Sequence, residues 1–376
     1  MKSRHKKVAA LLYLAAAIVT AVFAGRFLLG SGVLNPDSKP FARAFSGAFL
    51  EYAKECVDEN KDGVFSRKEY DAVKTMDLAE YKEKLAKSAW NPQWLSCFPN
   101  LAVLDCRECG IPALDLSSNL ALEQLLCSGN PLTQLDVSML PELTTLICEG
   151  RNEEENYLES TRETKGLTRL VLGNQPKLTE LICRQNRLEI LDVRGLTGLE
   201  VLDCSDNRIS ELPVGGLKEL RTLVCGRNPY LKELVLENLP KLQETECDLG
   251  GLLSIRVEDC PALTKLSFSG NAVEQFLRKG TPLLQKIDCS YNRLTELDVR
   301  GLTELRELIC SNNELQTLDI TDNHKLTELD CGGNFFKSVD ASGCPDLYLS
   351  PWETIEDYLG TIDYYLNRFY NSKEQK

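Results

Sequence analysis

The chain has 376 residues, with 43 Lys and Arg against 56 Asp and Glu, a formal net charge of −13 and a pI near 4.9. Such an acidic surface repels phosphate backbones, so nucleic acid is excluded as the expected partner. With only two histidines, His5 and His324, a His-based dyad or triad is nearly excluded and a multi-His metal site is excluded, and 24 Gly with 15 Pro are too few for a collagen-like or low-complexity chain.

Residues 1–30 open with Lys2, Arg4, Lys6 and Lys7, followed by an apolar run from Val8 to Gly25. A basic start, an apolar core and small residues make the three-part form of a secretory signal. The run is also long enough for an uncleaved membrane anchor, because apolar character resumes after Arg26. Either form places the rest of the chain outside the membrane. The absence of any Asn-x-Ser/Thr acceptor favours a bacterial source.

Residues 40–100 read as a helical unit. Phe45, Phe49, Tyr52, Ala53 and Cys56 share one face of an expected helix over 41–56. The loop 58–69 then reads Asp58-Glu59-Asn60-Lys61-Asp62-Gly63-Val64-Phe65-Ser66-Arg67-Lys68-Glu69. Asp58, Asn60, Asp62 and Ser66 offer side-chain oxygens, Val64 its carbonyl and Glu69 a carboxylate, a donor set suited to a hard cation. Gly63 permits the sharp turn, and Ser66 with Glu69 forms a capping box for the next helix. The loop resembles an EF-hand calcium loop, and the resemblance implies calcium on Asp58, Asn60, Asp62, Val64, Ser66 and Glu69. A loop that keeps the fold without the metal is the other reading. No second copy appears, so the expected role of calcium is to stiffen an N-terminal cap rather than to sense.

From 101 to 349 the cysteines recur at 106, 127, 148, 183, 204, 225, 247, 289, 310 and 331, mostly at intervals of 21, with Phe268 in the slot 21 past Cys247. A fixed period of this length signals a solenoid. One unit reads Leu122-x-x-Leu125-x-Cys127-x-x-Asn130-x-Leu132-x-x-Leu135-Asp136-Val137. This is similar to the leucine-rich repeat pattern, and it implies an α/β solenoid: a curved array of about eleven coils with parallel strands. Leu125 and Cys127 alternate inward on a short strand, and Asn130 and its equivalents turn inward to satisfy backbone groups at the bend. Cys109 falls in the Asn slot, so Cys106-x-x-Cys109 reads as two ladder positions rather than a redox motif. Cys260 and Cys344 share the slot of Leu140 and Leu196 and read as buried filler. Stacked cysteines have parallel Cβ vectors, which favours free thiols.

The middle column of concave-facing residues places Leu126, Ile147 and Ile182 consecutively, an exposed apolar stripe. An insertion, 153–166, interrupts the period between Cys148 and Cys183, and its Tyr157 is a candidate anchor beside that stripe. Glu244, Glu246 and Asp248 form a separate patch that reads as solvated. In 350–376, Ser350-Pro351-Trp352-Glu353 is a helix start, followed by Ile355, Tyr358, Leu359, Ile362, Leu366 and Phe369 at helical spacing, an expected C-terminal capping helix.

Signal, EF-hand-type cap and repeats together resemble the internalin-like surface proteins of bacteria over 40–350. The chain departs from them in its 21-residue spacing and its Cys-for-Leu substitution, and no wall-anchoring tail is evident in the sequence. The resemblance implies a secreted or cell-surface protein whose concave face recognises a protein or glycan. A surface spacer, with calcium only stabilising the cap, is the alternative. No nucleophile elbow or phosphate loop is present, so no catalysis is expected.

Overall fold

The computed structural model describes residues 48–87, 92–150 and 166–347. Twelve short parallel strands form one sheet in which each strand pairs with the next coil, from Thr75–Asp77 and Val103–Asp105 through to Glu328–Asp330. The register is uniform: Leu104 faces Leu125, Leu125 faces Leu146, and Leu146 faces Leu181. These leucines are buried, as are the cysteines two residues on from Cys106 to Cys310. Each buried leucine contributes about 2 kcal/mol, and each coil completes its core only against its neighbours. Among the described residues no disulfide joins the cysteines, as the parallel Cβ geometry implies.

The Asn column closes the bend. Asn207 Nδ2 donates to the carbonyls of Cys183 and Cys204 at 3.0 and 3.1 Å, and its Oδ1 accepts from Leu188 N at 3.0 Å. Asn130, Asn186, Asn228, Asn292, Asn313 and Asn334 repeat the pattern. Just before these residues most coils carry one in the left-handed region, such as Asp206 (φ 52°) or Gly270 (φ 66°). Leu249 and Tyr291 adopt it too, at φ 55° and 54°, a conformation that costs an L-residue about 1 kcal/mol.

The return path runs extended. It pairs as a three-stranded sheet of Glu233–Glu237, Ser254–Glu258 and Gln275–Lys279, and as a two-stranded one of Gln134–Asp136 and Arg169–Val171. A second polar slot lies on this side. Asn119 donates to Leu95 O and Phe98 O, Gln175 to Val137 O, and Asn323 to Val299 O and Leu302 O, all within 3.0 Å. Cys260 and Cys344 fill the same slot, and both are buried.

The N-terminal segment is helical only in short pieces. Helices cover Ala48–Tyr52, Arg67–Ala72 and Lys82–Leu85, with a π-turn at Ala53–Val57. That turn corrects the expected helical face: Cys56 is exposed and Val57 takes its inward place, because the wider turn shifts the phase by one residue. Phe49, Tyr52, Tyr70, Trp94 and Phe98 pack around one another and onto Leu101 and Leu104. The start of the expected helix over 41–56, the leader in 1–30, most of the insertion including Tyr157, and the C-terminal helix in 350–376 lie outside the described residues. Among the described residues, no helix is long and apolar enough to cross a membrane.

Candidate functional site

Two places on the scaffold gather chemistry: the acidic loop 58–69 and the concave face of the long sheet. In the loop, Asp58 is 5% exposed and its Oδ2 accepts from Gly63 N at 2.9 Å. Asn60 Oδ1 accepts from Asp62 N at 2.8 Å, and Asp62 Oδ1 from Val64 N at 2.7 Å. Gly63 has φ 77°, and the space where a Cβ would stand is open, so backbone conformation, not crowding, selects glycine there. Glu69 completes the expected capping box: Oε2 accepts from Ser66 N and Oγ, both at 2.7 Å, and Oε1 from Glu59 N at 3.1 Å. These bonds, those from Ser66 first, hold the Glu69 carboxyl below its ordinary range. Phe65 is half-buried beside Tyr70, with ring centroids 6.2 Å apart.

One atom tests whether these residues suit a cation. Asp58 Oδ1 is buried and, among the described residues, accepts no hydrogen bond. A buried carboxylate oxygen without a donor is costly unless a cation or water meets it. The donor set around it is all oxygen, which fits calcium. In this arrangement Glu69 faces Ser66, and no group of three or more His, Cys, Asp or Glu side chains converges as a metal cluster among the described residues.

On the concave face, Leu126, Ile147 and Ile182 are direct neighbours in register, and all three are half-buried. The structure thus brings the stripe together as a continuous strip on the sheet. Arg184 and Glu149 pair beside it at 2.5 Å. Further along, a hollow of about 310 Å³ opens across four strands, lined among others by Val224, Glu246, Asp248, Ser267, Lys265 and Asp288. The acidic patch around it is not uniformly solvated, since Glu244 pairs with Lys265 at 2.7 Å. Asp248 Oδ1 accepts from Ser267 Oγ and Ser269 N at 2.7 Å. Burial, with Asp288 and Glu246 nearby, pushes its carboxyl up. The sequence pattern did carry a signal for this place: Thr245 breaks the Leu column and Phe268 breaks the Cys column on adjacent coils.

Stacked parallel strands, an inward Leu and Cys ladder and an Asn-closed bend define a leucine-rich repeat solenoid of internalin-like course. The Leucine Rich Repeat family matches residues 198–220. An internalin, InlF, from Listeria monocytogenes is similar in fold, with 16% identity over 84% of this chain and 98% of that one and a TM-score of 0.52. The LRIM1/APL1C complex gives 22% identity over 65% of this chain and 46% of that one, with a TM-score of 0.54. The functional domain of InlJ from Listeria monocytogenes, described as including a cysteine ladder, is 28% identical over 70% of this chain, with a TM-score of 0.45. The match spans 61% of that domain's length. No curated protein matches the sequence. Leucine-rich repeat folds commonly serve protein binding.

Proposed function

We propose that this protein is a secreted or cell-surface bacterial binding protein that captures a protein or glycan partner on its concave face without catalysis. The observation that carries this reading is the strip of Leu126, Ile147 and Ile182, three aliphatic side chains adjacent in register on one sheet face and only half-buried among the described residues. Hot spots need such a contiguous apolar centre, whereas a spacer does not. Tyr157, in the insertion, is a further candidate anchor for the partner in this reading. The leader in 1–30 supports export, and membrane anchoring through it is compatible with binding.

Calcium is the second part of the proposal, held by Asp58, Asn60, Asp62, Val64, Ser66 and Glu69. When bound, calcium supplies a positive centre for the buried Asp58 oxygen. The loop's own residues do the rest: Gly63 makes the turn, and Ser66 and Glu69 start the helix that leads into the first strand of the sheet. A site outside a cell functions at affinities as weak as about 10⁻⁴–10⁻³ M. Titrating calcium into the chelator-treated protein by calorimetry tests this, with saturable 1:1 binding abolished by Asp58→Ala as the expected result. No heat and no change in melting temperature would reduce the loop to a turn. Replacing Leu126, Ile147 and Ile182 with Asp separates capture from spacing: only a binding surface loses a partner while folding is unchanged.

A further inference from the structure

The concave-face reading leaves the partner's chemistry open, and the rest of the same column narrows it. From coil to coil the middle column reads Asp203, Val224, Glu246, Ser267, Asp288, Ile309 and Asp330, each residue in register with the next. Carboxylates therefore stand on alternate coils, with small or aliphatic residues between them. Two strand spacings separate neighbouring carboxylates by about 9.5 Å. The nearby lysines are committed elsewhere, Lys265 to Glu244 at 2.7 Å and Lys286 to Glu307 at 2.5 Å, while Arg184 pairs with Glu149 at 2.5 Å and reaches Asp203 only at 4.0 Å. Asp288 accepts from Ser290 N and Oγ through its Oδ1 and lines the hollow, and Glu246 is exposed. The hollow of about 310 Å³ lies between Glu246 and Asp288.

Resting on that reading, we propose that the concave face seats an extended polyproline-type segment of a protein partner, with Lys or Arg at every third residue aligned on Asp203, Glu246, Asp288 and Asp330. An apolar end of the same segment lies on Leu126, Ile147 and Ile182. Magnitudes select this shape. A polyproline helix brings every third side chain to one face at about 9.3 Å, so four cations stay within about 1 Å of the carboxylates over the whole run. An α-helix repeats a face every seven residues, or about 10.5 Å, and drifts by about 3 Å over the same run. A β-strand turns its third residue to the opposite face. A neutral glycan has no cation to offer, and an acidic glycan is repelled by the column.

Two synthetic peptides test the spacing: four repeats of Lys-Pro-Pro, and a peptide of the same composition with its lysines contiguous. Affinities are measured by fluorescence anisotropy at low and at physiological salt, with circular dichroism confirming the fold of each variant. The regular peptide is expected to bind more tightly, and Glu246→Gln and Asp288→Asn each to weaken it by up to about fivefold. Glu233→Gln with Glu237→Gln, on the convex strand, is expected to leave it unchanged. Equal binding of the two peptides, no binding of either, or an equal effect of the convex pair overturns the proposal. A third peptide, with Leu-Leu-Ile preceding the repeats, keeps the two readings apart. If its extra affinity is lost on Ile147→Asp while the carboxylate variants change nothing, the carboxylate spacing fails and the concave-face reading stands. If neither set of substitutions alters binding, both fail.

Discussion

Asn186 Nδ2 donates to Cys148 O at 2.9 Å although 38 residues separate them, a bond equivalent to that of Asn207 to Cys183 O at 3.0 Å over 24 residues. The Asn ladder therefore crosses the interruption in the period unchanged. Asn186 Oδ1 also accepts from Leu167 N at 2.8 Å, re-establishing the frame just beyond the insertion.

That continuity makes the insertion dispensable for folding. Deleting residues 152–165 restores the 21-residue interval between Cys148 and Cys183. Loop-closure entropy changes only by about 0.6 kcal/mol for each doubling of loop length. The expected outcome is a melting temperature within a few degrees of the parent by calorimetry; collapse of the transition would show that the insertion is part of the core.

The ladder itself is not dispensable. Asn207→Leu removes a side chain that meets two carbonyls and an amide, leaving buried polar groups of two coils unmatched. The expected loss is about 3 kcal/mol, from a deficit of about 1–3 kcal/mol for each unsatisfied group with some relaxation. Urea unfolding checks it, and a change under about 0.5 kcal/mol would mean that water replaces the amide.

Thr245 gives the opposite sign. It is buried and, among the described residues, its hydroxyl has no hydrogen-bond partner. Thr245→Val keeps the shape and removes the unmatched oxygen, so a gain of about 1 kcal/mol is expected. A lower midpoint in urea would reveal an unseen partner for that hydroxyl.

The thiol ladder sets an upper limit on pH. Burial pushes Cys97, Cys109 and Cys127 up to about 12 from an ordinary 9.0, and Cys106, Cys148, Cys183 and Cys204 upward as well. The folded chain thus holds protons that the unfolded chain releases. Their contribution is fully present below pH 9 and is lost as pH rises from 9 towards 12. Each such thiol removes about 1.4 kcal/mol per pH unit in that window, and several acting together exceed the stability of an ordinary domain. The midpoint of thermal unfolding should fall steeply above pH 9 and hardly at all between pH 7 and 8.5, values set by the ordinary thiol range of about 8.5–9. A Cys183→Ala, Cys204→Ala variant should show a shallower alkaline fall; an identical slope would assign it to other groups.

Much of this architecture was legible because a coil's demands repeat. Leu125 and Cys127 alternate because a strand has two faces, and Asn130 recurs because each bend leaves the same carbonyls unmatched. The slot of Asn119, Gln175 and Asn323 was illegible for the converse reason: Leu, Cys or an amide can fill it, so no single letter marks it. The exposure of Cys56 follows from a π-turn, which leaves no period in the letters. The ion pair between Glu244 and Lys265 joins adjacent coils, so a reading along the chain sees only a run of acids. The loop 58–69 was legible as a donor pattern, while the orphaned Asp58 oxygen needed coordinates.

The strand Thr75–Asp77 has a consequence for how the solenoid ends. It lies before the first repeat, pairs with Val103–Asp105, and is extended by Ala102 N to Lys74 O at 2.8 Å and Leu78 N to Asp105 O at 2.9 Å. A chain beginning at residue 101 would present that edge bare, a row of main-chain donors and acceptors open to any passing strand. Parallel coils have no inherent last member, and one more strand always fits. By supplying its own first rung and then turning away into short helices, the N-terminal segment removes one of the two ends at which such an array grows into a polymer.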